Sequence, residues 1–273
     1  MNEEIKIPKI IHYFWFGNND FPQNFSKYLK SWKKNCPDYE IRLWNEKNFD
    51  VNICNYTKGA YQAKKYAFVS DYARCYILKK YGGVYLDTDV ELLKNLDTLL
   101  IQECFTGVEK NSNLVNPGLI LASVKNNPFL IDMLEYYNSL EKFEFGTHTI
   151  CDISTDILQK KYNYDRKKFN EIQKLKHITI YPSDYFCCKN VATGQIELTP
   201  NSYAIHHYDG SWLDPMHKEK HNLRMKLMEK SINKYGEKRG IKIAKIKYWT
   251  IFTLKHPIES YKDILRRPTM KSQ

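Results

Sequence analysis

Long apolar runs and cysteine pairs are both missing from this sequence. No stretch approaches the roughly 18 apolar residues that a membrane-crossing helix requires, and the longest candidate near the end, Tyr248–Leu254, is far shorter. The opening MNEEIKIPKI places two acids where a secretory leader is basic, and no apolar segment follows, so a cytoplasmic protein is expected. The 7 cysteines are an odd number and contain no CxxC spacing, which leaves no disulfide framework or zinc-ribbon signature to read. Adjacent Cys187 and Cys188 read as neighbouring half-buried thiols in a reducing compartment rather than as a redox or metal pair. Internal repeats and low-complexity segments are absent too, which excludes solenoids and flexible linkers as the organising principle.

Apolar side chains are present in ordinary amount: 42% of residues are hydrophobic, enough for a buried core. Aromatics are abundant, led by 21 tyrosines, which suits a core and clefts lined with amphipathic rings. The net charge of +11 is uneven. Leu213–Gln273 holds 16 Lys and Arg against 6 Asp and Glu, so nearly all the excess belongs to this tail. The first 212 residues are close to neutral, and a division into a catalytic domain, 1–212, and a basic helical extension, 213–273, is expected.

Lys9–Phe16 is an apolar, aromatic run ended by Gly17-Asn18-Asn19-Asp20, which reads as a buried strand and loop. Phe25, Tyr28, Leu29 and Trp32 predict a helix over Phe25–Lys34, and Tyr39–Trp44 alternates as a second strand. Strand, helix and strand at this spacing open an α/β domain with a parallel sheet. Ala67–Tyr81 reads as a helix stopped by Gly82-Gly83, and Val84-Tyr85-Leu86 as a short strand running into Asp87-Thr88-Asp89. Strands are also expected at Leu119–Val124, Thr179–Tyr181 and Tyr203–His206, and helices at Pro128–Leu140 and from Lys218 onward.

Asp87 and Asp89 lie two apart at a strand end, where i and i+2 point the same way and two carboxylates can share one cation. Hard divalent ions take such oxygens and complete their shell with substrate phosphate. An isolated DxD is equally a solvated turn, so the context decides. Asp71 and Arg74, three apart on the preceding helix, form either a local ion pair, worth about 0.3–0.5 kcal/mol if exposed, or an acceptor of sugar hydroxyls beside a fork for oxygen ligands. Trp15 is either core or a platform on which a nucleobase stacks, with Tyr85 offering a second face. In AIHHYDGSW, Ala204–Trp212, strand alternation lets at most one of His206 and His207 reach the carboxylates. Ser211 and Trp212 can donate hydrogen bonds to diphosphate oxygens.

Together these clusters resemble glycosyltransferase family 32, the group with a DXD sugar-binding motif, and more distantly the glucosylating domains of large clostridial toxins. The matching text is IPKIIHYFWFG at Ile7–Gly17, SWKKNCPDYEIRLWNEKNFD at Ser31–Asp50, FVSDYARCYILKKYGGVYLDTDVELLKNLD at Phe68–Asp97 and HHYDGSW at His206–Trp212. The resemblance implies a GT-A type, Rossmann-like mixed sheet flanked by helices, a Mn²⁺- or Mg²⁺-dependent nucleotide-sugar donor, and retention of anomeric configuration. It implies base stacking on Trp15, backbone contacts to the base from Phe14, and an aromatic beside the base in Tyr85. Asp71 and Arg74 would hold ribose and donor sugar, Asp87 would lie near ribose and metal, and Asp89 would ligate the metal. Similarity of the HHYDGSW segment to family 8 retaining transferases makes His207 the third metal ligand, and Ser211 and Trp212 the loop over the diphosphate. Asn116-Pro117-Gly118 and the segment around Asp152 are candidate pocket linings.

The expected activity is therefore transfer of a hexose, first from a UDP-sugar, to a glycan or lipid-linked glycan acceptor, as in bacterial capsule, exopolysaccharide or lipopolysaccharide synthesis. Asp71, Arg74, Asp87 and Asp89 form its catalytic set. A haloacid-dehalogenase-type phosphatase also places DxD after a strand, but wants Thr or Val four residues after the first Asp, where this chain has Glu91. A basic protein without catalysis is the other rival. The tail mixes its cations with Tyr248, Trp249, Ile251, Phe252 and Leu254, which favours peripheral attachment to an anionic membrane surface over nucleic acid.

Overall fold

The computed structural model describes residues 4–146, 148–210 and 215–256. In chain order the elements are β1 (Ile10–Phe14), α1 (Phe25–Asn35), β2 (Glu40–Trp44), α2 (Asn55–Gln62), α3 (Tyr66–Tyr81), β3 (Gly83–Tyr85), β4 (Val90–Leu92), β5 (Cys104–Val108), β6 (Val115–Ser123), α4 (Pro128–Asn138), α5 (Ile150–Tyr162), β7 (Gln173–Leu175), β8 (Ile178–Tyr181), α6 (Ser183–Phe186), β9 (Ala204–His206), α7 (Pro215–Tyr235) and α8 (Glu237–Lys255). Their contacts divide the chain into two compact units: 1–189 with 196–212, and 213–273 with 190–195.

The first unit is a mixed α/β layer structure, a mixed sheet flanked by helices as expected. Seven strands form one sheet in the order β2-β1-β3-β6-β5-β8-β7. The β2-β1-β3 half is parallel, β6 runs antiparallel to both β3 and β5, and β5 and β8 are again parallel. A two-stranded ribbon, β4-β9, stands apart from this sheet. One core, with Phe14, Trp44, Ala73, Leu78, Phe129 and Leu158, covers one sheet face, and a second, with Ile11, Tyr13, Trp32, Val84 and Leu119, covers the other. Strand alternation in β1 supplies both, sending Ile11 and Tyr13 one way and Phe14 the other.

The turn from α3 into β3 needs its glycines. Gly82 and Gly83 have φ of +67° and +108°. A Cβ on Gly82 would meet the Pro8 ring at 2.9 Å, and one on Gly83 would meet the Ile10 carbonyl oxygen at 2.7 Å. This turn delivers Asp87 to the C-terminal edge of the parallel strands, where open α/β sheets bind ligands. Beneath it, buried His12 accepts at Nδ1 from Trp44 Nε1–H (3.0 Å), so its Nε2–H donates to the Gly82 carbonyl at 2.9 Å. Partners that can only donate and only accept fix this tautomer.

Strand β6 begins four residues before the expected Leu119. Pro117 hides its start, because proline is tolerated only where the ladder is interrupted. Pairing with β5 jumps from Thr106–Leu121 to Gly107–Asn116, leaving 117–120 out of register. Strand β5 and helices α2 and α5 were not expected at all. For α5, Thr149 and Asp152 form a reciprocal capping box, so Asp152 serves a helix start rather than a pocket. Cys187 and Cys188 are both fully buried rather than half-buried, the first beside Tyr208 Oη at 3.0 Å and the second donating to Ser202 Oγ at 3.1 Å.

The second unit contains the helical hairpin of α7 and α8. Met228, Ile232 and Ala244 form its small core. The helices approach closely at Gly240, where a Cβ would lie 2.5 Å from the Ile232 Cα. No helix among the described residues is long and apolar enough to cross a membrane.

Candidate active site

Three elements bring the chemistry together. Helix α3 carries Asp71 and Arg74 one turn apart, the β3–β4 connection carries Asp87 and Asp89, and His206 ends β9. Ligand atoms of Asp87, Asp89 and His206 lie within 4.8 Å of one another, the one such His/Cys/Asp/Glu group among the described residues. His206 Nε2 is 3.3 Å from Asp87 Oδ2 and 3.3 Å from Asp89 Oδ1.

The expectation put His207 beside the carboxylates; the structure puts His206 there. In the ribbon Val90 lies opposite His206 and Glu91 opposite Ile205, and the turn at residues 88–89, just before β4, swings the Asp89 carboxylate to the His206 side. Alternation leaves His207 on the same side as Glu91, whose Oε2 lies 2.8 Å from His207 Nε2. The His207 ring stacks on Tyr28 of α1, with centroids 4.7 Å apart. Its amide N–H donates to the Asp89 carbonyl at 2.9 Å, and the next amide but one, Asp209 N–H, donates to Asp89 Oδ2 at 2.9 Å. The loop therefore orients Asp89 through backbone donors and is tied to α1 through side chains.

Arg74 is buried and almost fully engaged. Its Nε donates to the Ser70 carbonyl (3.1 Å) and Nη2 to Asp71 Oδ1 (2.8 Å), and Nη2 stands 3.6 Å from Asp87 Oδ1. Its Nη1 has no partner among the described residues, and neither has His206 Nδ1. Buried polar groups of this kind are normally satisfied, so Arg74 Nη1, beside Gly118 and Asp87, is available to a ligand oxygen. The guanidinium lies 4.3 Å over the Tyr85 ring, and Phe14 packs on that ring at 5.4 Å. Tyr85 Oη–H donates to Asp87 Oδ1. The ring is 2% exposed. Tyr85 therefore supports Arg74 and Asp87 and has no open face for a base.

Electrostatics favour a cation at the carboxylates. Burial alone would raise Asp87, but Arg74, His206 and the Tyr85 hydroxyl outweigh it and hold its carboxyl below the usual range. Asp89 is raised, by burial first and by Asp87, against the pull of His206. Burial disfavours charge on His206, yet Asp89, Asp87 and Glu109 raise it above the ordinary imidazole value. Asp71 is pushed up to about 7 by burial, which Arg74 opposes. Two carboxylate oxygens with an imidazole nitrogen suit Mn²⁺ or Mg²⁺, which take oxygen ligands and leave positions for substrate phosphate.

The Asn116-Pro117-Gly118 segment does line this site. A Cβ on Gly118 would sit 2.9 Å from Asp87 Oδ2, 2.9 Å from Asn116 Oδ1 and 3.3 Å from Arg74 Nη1. Sequence reasoning missed Glu109, which accepts from Tyr208 Oη (3.2 Å), Ser112 Oγ (2.6 Å) and Asn116 Nδ2 (3.4 Å). It also passed over His12. Trp15 follows β1 at the same sheet edge as Asp87, half-buried, its indole stacked on Phe21 at 5.2 Å and donating to the Asn19 carbonyl at 2.7 Å. Phe14 is a core side chain, so only its backbone is available to a ligand. Ser211 and Trp212 lie outside the described residues. Glu91, where the phosphatase pattern wants Thr or Val, is taken up by His207 and by Lys27 at 3.1 Å.

Residues 22–106 match the family described as "Glycosyltransferase sugar-binding region containing DXD motif". Inositol phosphoceramide mannosyltransferase 3 of Schizosaccharomyces pombe is 32% identical over 54% of this chain and 41% of its own length. An uncharacterized glycosyltransferase of Acanthamoeba polyphaga mimivirus is 32% identical over 45% of this chain and 52% of its own. The chain thus spans about half the length of these relatives. Among solved structures, the PaToxG glycosyltransferase aligns at a TM-score of 0.40 with 21% identity, over 57% of this chain and 70% of that one. The matched stretch holds Asp71, Arg74, Tyr85, Asp87 and Asp89, and over these residues the chain is similar to the glycosyltransferase sugar-binding region that contains a DXD motif.

Proposed function

We propose that this protein is a retaining hexosyltransferase that uses a nucleotide-diphosphate sugar, a UDP-sugar first, and a glycan or lipid-linked glycan acceptor. The convergence of Asp87, Asp89 and His206 beside a buried Arg74 with one unpaired N–H group carries the reading. Asp87, Asp89 and His206 would hold Mn²⁺ or Mg²⁺, which when bound supplies positive charge against the departing diphosphate. Arg74 Nη1 donates to a donor oxygen, and Asp71 accepts from a sugar or ribose hydroxyl. Gly118, lacking a Cβ, lets Asp87, Asn116 and Arg74 close up against the β6 backbone at the edge of the sugar site. Trp15 offers its outer edge to the base, and the hydroxyl of Ser211 and the indole N–H of Trp212, both outside the described residues, would be donors to the diphosphate. The anomeric C–O bond to phosphate breaks, a new C–O bond to the acceptor forms on the same face, and the acceptor proton passes to the leaving phosphate oxygen.

Lipid-linked acceptors are favoured by the relatives named for inositol phosphoceramide. A cytoplasmic enzyme of capsule, exopolysaccharide or lipopolysaccharide assembly remains the proposed setting. The test is a panel of UDP- and GDP-sugars screened for Mn²⁺-stimulated donor hydrolysis without acceptor. One donor should be cleaved, and Asp89→Ala should abolish cleavage; near-normal turnover by that variant sinks the assignment.

A further inference from the structure

Helix α8 is built to face two ways. Gly240, Ala244 and Phe252, at helical spacing, are buried. The opposite stripe runs through Arg239, Lys242, Ile246, Thr250 and Thr253, all exposed, with Lys238, Lys245 and Leu254 on its flanks. Ile246 is 68% exposed and Leu254 79%, the two most exposed large apolar side chains among the described residues. Across its length α8 holds six Lys and Arg and a single acid, Glu237. No carboxylate pairs with Lys242 or Lys245 among the described residues.

We infer that this face of α8 docks on an anionic lipid bilayer, with its cations at the headgroups and Ile246 and Leu254 inserted between them. Charge selects the surface: each Lys or Arg near an anionic leaflet contributes about 1 kcal/mol. Apolar exposure selects a bilayer over a nucleic acid. A phosphate backbone pairs with the cations and leaves Ile246 and Leu254 in water, whereas the headgroup–acyl boundary buries them. Trp249, half-buried and one turn from Ile246, lies at the edge of the same stripe, a position where indole rings collect at membrane interfaces. The inference rests on the helical hairpin alone and does not depend on the donor chemistry proposed above.

The test is co-sedimentation of the full chain with vesicles of phosphatidylcholine, alone or mixed with phosphatidylglycerol, across a salt series. The wild type should partition at least roughly tenfold more onto the mixed vesicles, with binding weakening as salt rises. Arg239→Ala/Lys242→Ala/Lys245→Ala should weaken partitioning on the order of 100-fold at low salt. Ile246→Ser/Leu254→Ser, which removes only exposed groups, should weaken it roughly tenfold while leaving helicity and donor hydrolysis unchanged. Equal wild-type binding to both vesicle types overturns the inference without any variant. So does wild-type partitioning by Ile246→Ser/Leu254→Ser. Tight, salt-sensitive binding to single-stranded RNA with no vesicle binding overturns it too, and assigns the face to nucleic acid.

Discussion

His207 Nε2 lies 2.8 Å from Glu91 Oε2, while the adjacent His206 turns its Nε2 to Asp87 and Asp89 at 3.3 Å each. Neighbouring imidazoles are thus committed to different partners by the two-residue period of one short strand. The same contact fastens the loop after β9 to the ribbon, while Tyr28 and Asn24 hold Asp209 from α1 at 3.0 and 3.3 Å. One histidine offers a ligand atom, and the other fixes the loop that presents it.

This division of labour predicts unequal effects of removing either ring. His206→Ala should weaken Mn²⁺ binding by more than about 100-fold, because one of three converging ligand atoms is lost. His207→Ala should weaken it by roughly 10-fold, the lower end of the range for groups that orient a ligand without touching the ion. Titrating free Mn²⁺ by its paramagnetic resonance signal, without substrate, reads both. A larger effect at His207 would restore the assignment expected from sequence and reject the geometry.

Close approach at Gly118 makes a second prediction. A methyl group there would meet Asp87 Oδ2 and Asn116 Oδ1 at 2.9 Å and Arg74 at 3.3 Å. All three neighbours are held by hydrogen bonds or ion pairs and cannot withdraw freely. Gly118→Ala should cost about 1–3 kcal/mol of stability as overpacking and weaken donor binding by at least roughly 10-fold. Thermal unfolding together with a donor titration measures both. Unchanged donor affinity would mean that the sugar does not enter beside Gly118.

Much of this was legible in the sequence where a local signal and a distant partner agreed. The block Phe68–Asp97 announced helix, glycine turn, strand and carboxylates, because each step is fixed by neighbours in the chain. Glycines with φ above +60° at Gly82 and Gly83 are a local demand and can be read locally. Which histidine faces the carboxylates depended instead on how the turn at 88–89 meets β9, an encounter across more than a hundred residues. Alternation limited the choice to one without saying which. The start of β6 was concealed by Pro117, and Tyr85 was misjudged because burial between Arg74 and Phe14 is a property of three separate elements.

Arg74 is held as a fork, and a lysine cannot copy it. Nε and Nη2 occupy Ser70 and Asp71, leaving Nη1 spare near Gly118. Arg74→Lys keeps the charge but gives up the planar geometry. It should lower kcat/KM for the donor on the order of 100-fold, about 2.7 kcal/mol of transition-state stabilisation. It should also lower the melting temperature, since Asp71 loses its paired donor in a buried site. Steady-state kinetics beside thermal unfolding separates the two effects. A lysine variant within a few-fold of wild type would show that only charge matters there.

His12 ties stability to pH. It is fully buried and pinned between Trp44 and Gly82, and burial lowers its pKa to about 4, against smaller opposing help from the Gly82 carbonyl. The unfolded chain, with an imidazole pKa near about 6.5, binds a proton between these values while the fold does not. Stability from this group is therefore complete above about pH 6.5 and is lost as pH falls toward 4, by up to about 3 kcal/mol. Asp71, pushed up to about 7 by burial, has the opposite sign, because its protonated form is favoured in the fold as pH drops. The wild-type curve alone thus mixes the two. His12→Gln keeps a donor and an acceptor but does not titrate, so the difference between the two urea-denaturation curves isolates the histidine. That difference should narrow steadily from pH 6.5 to 4, as the wild type loses an advantage the variant never had. Parallel curves across that range would show that the imidazole is not held neutral between Trp44 and Gly82.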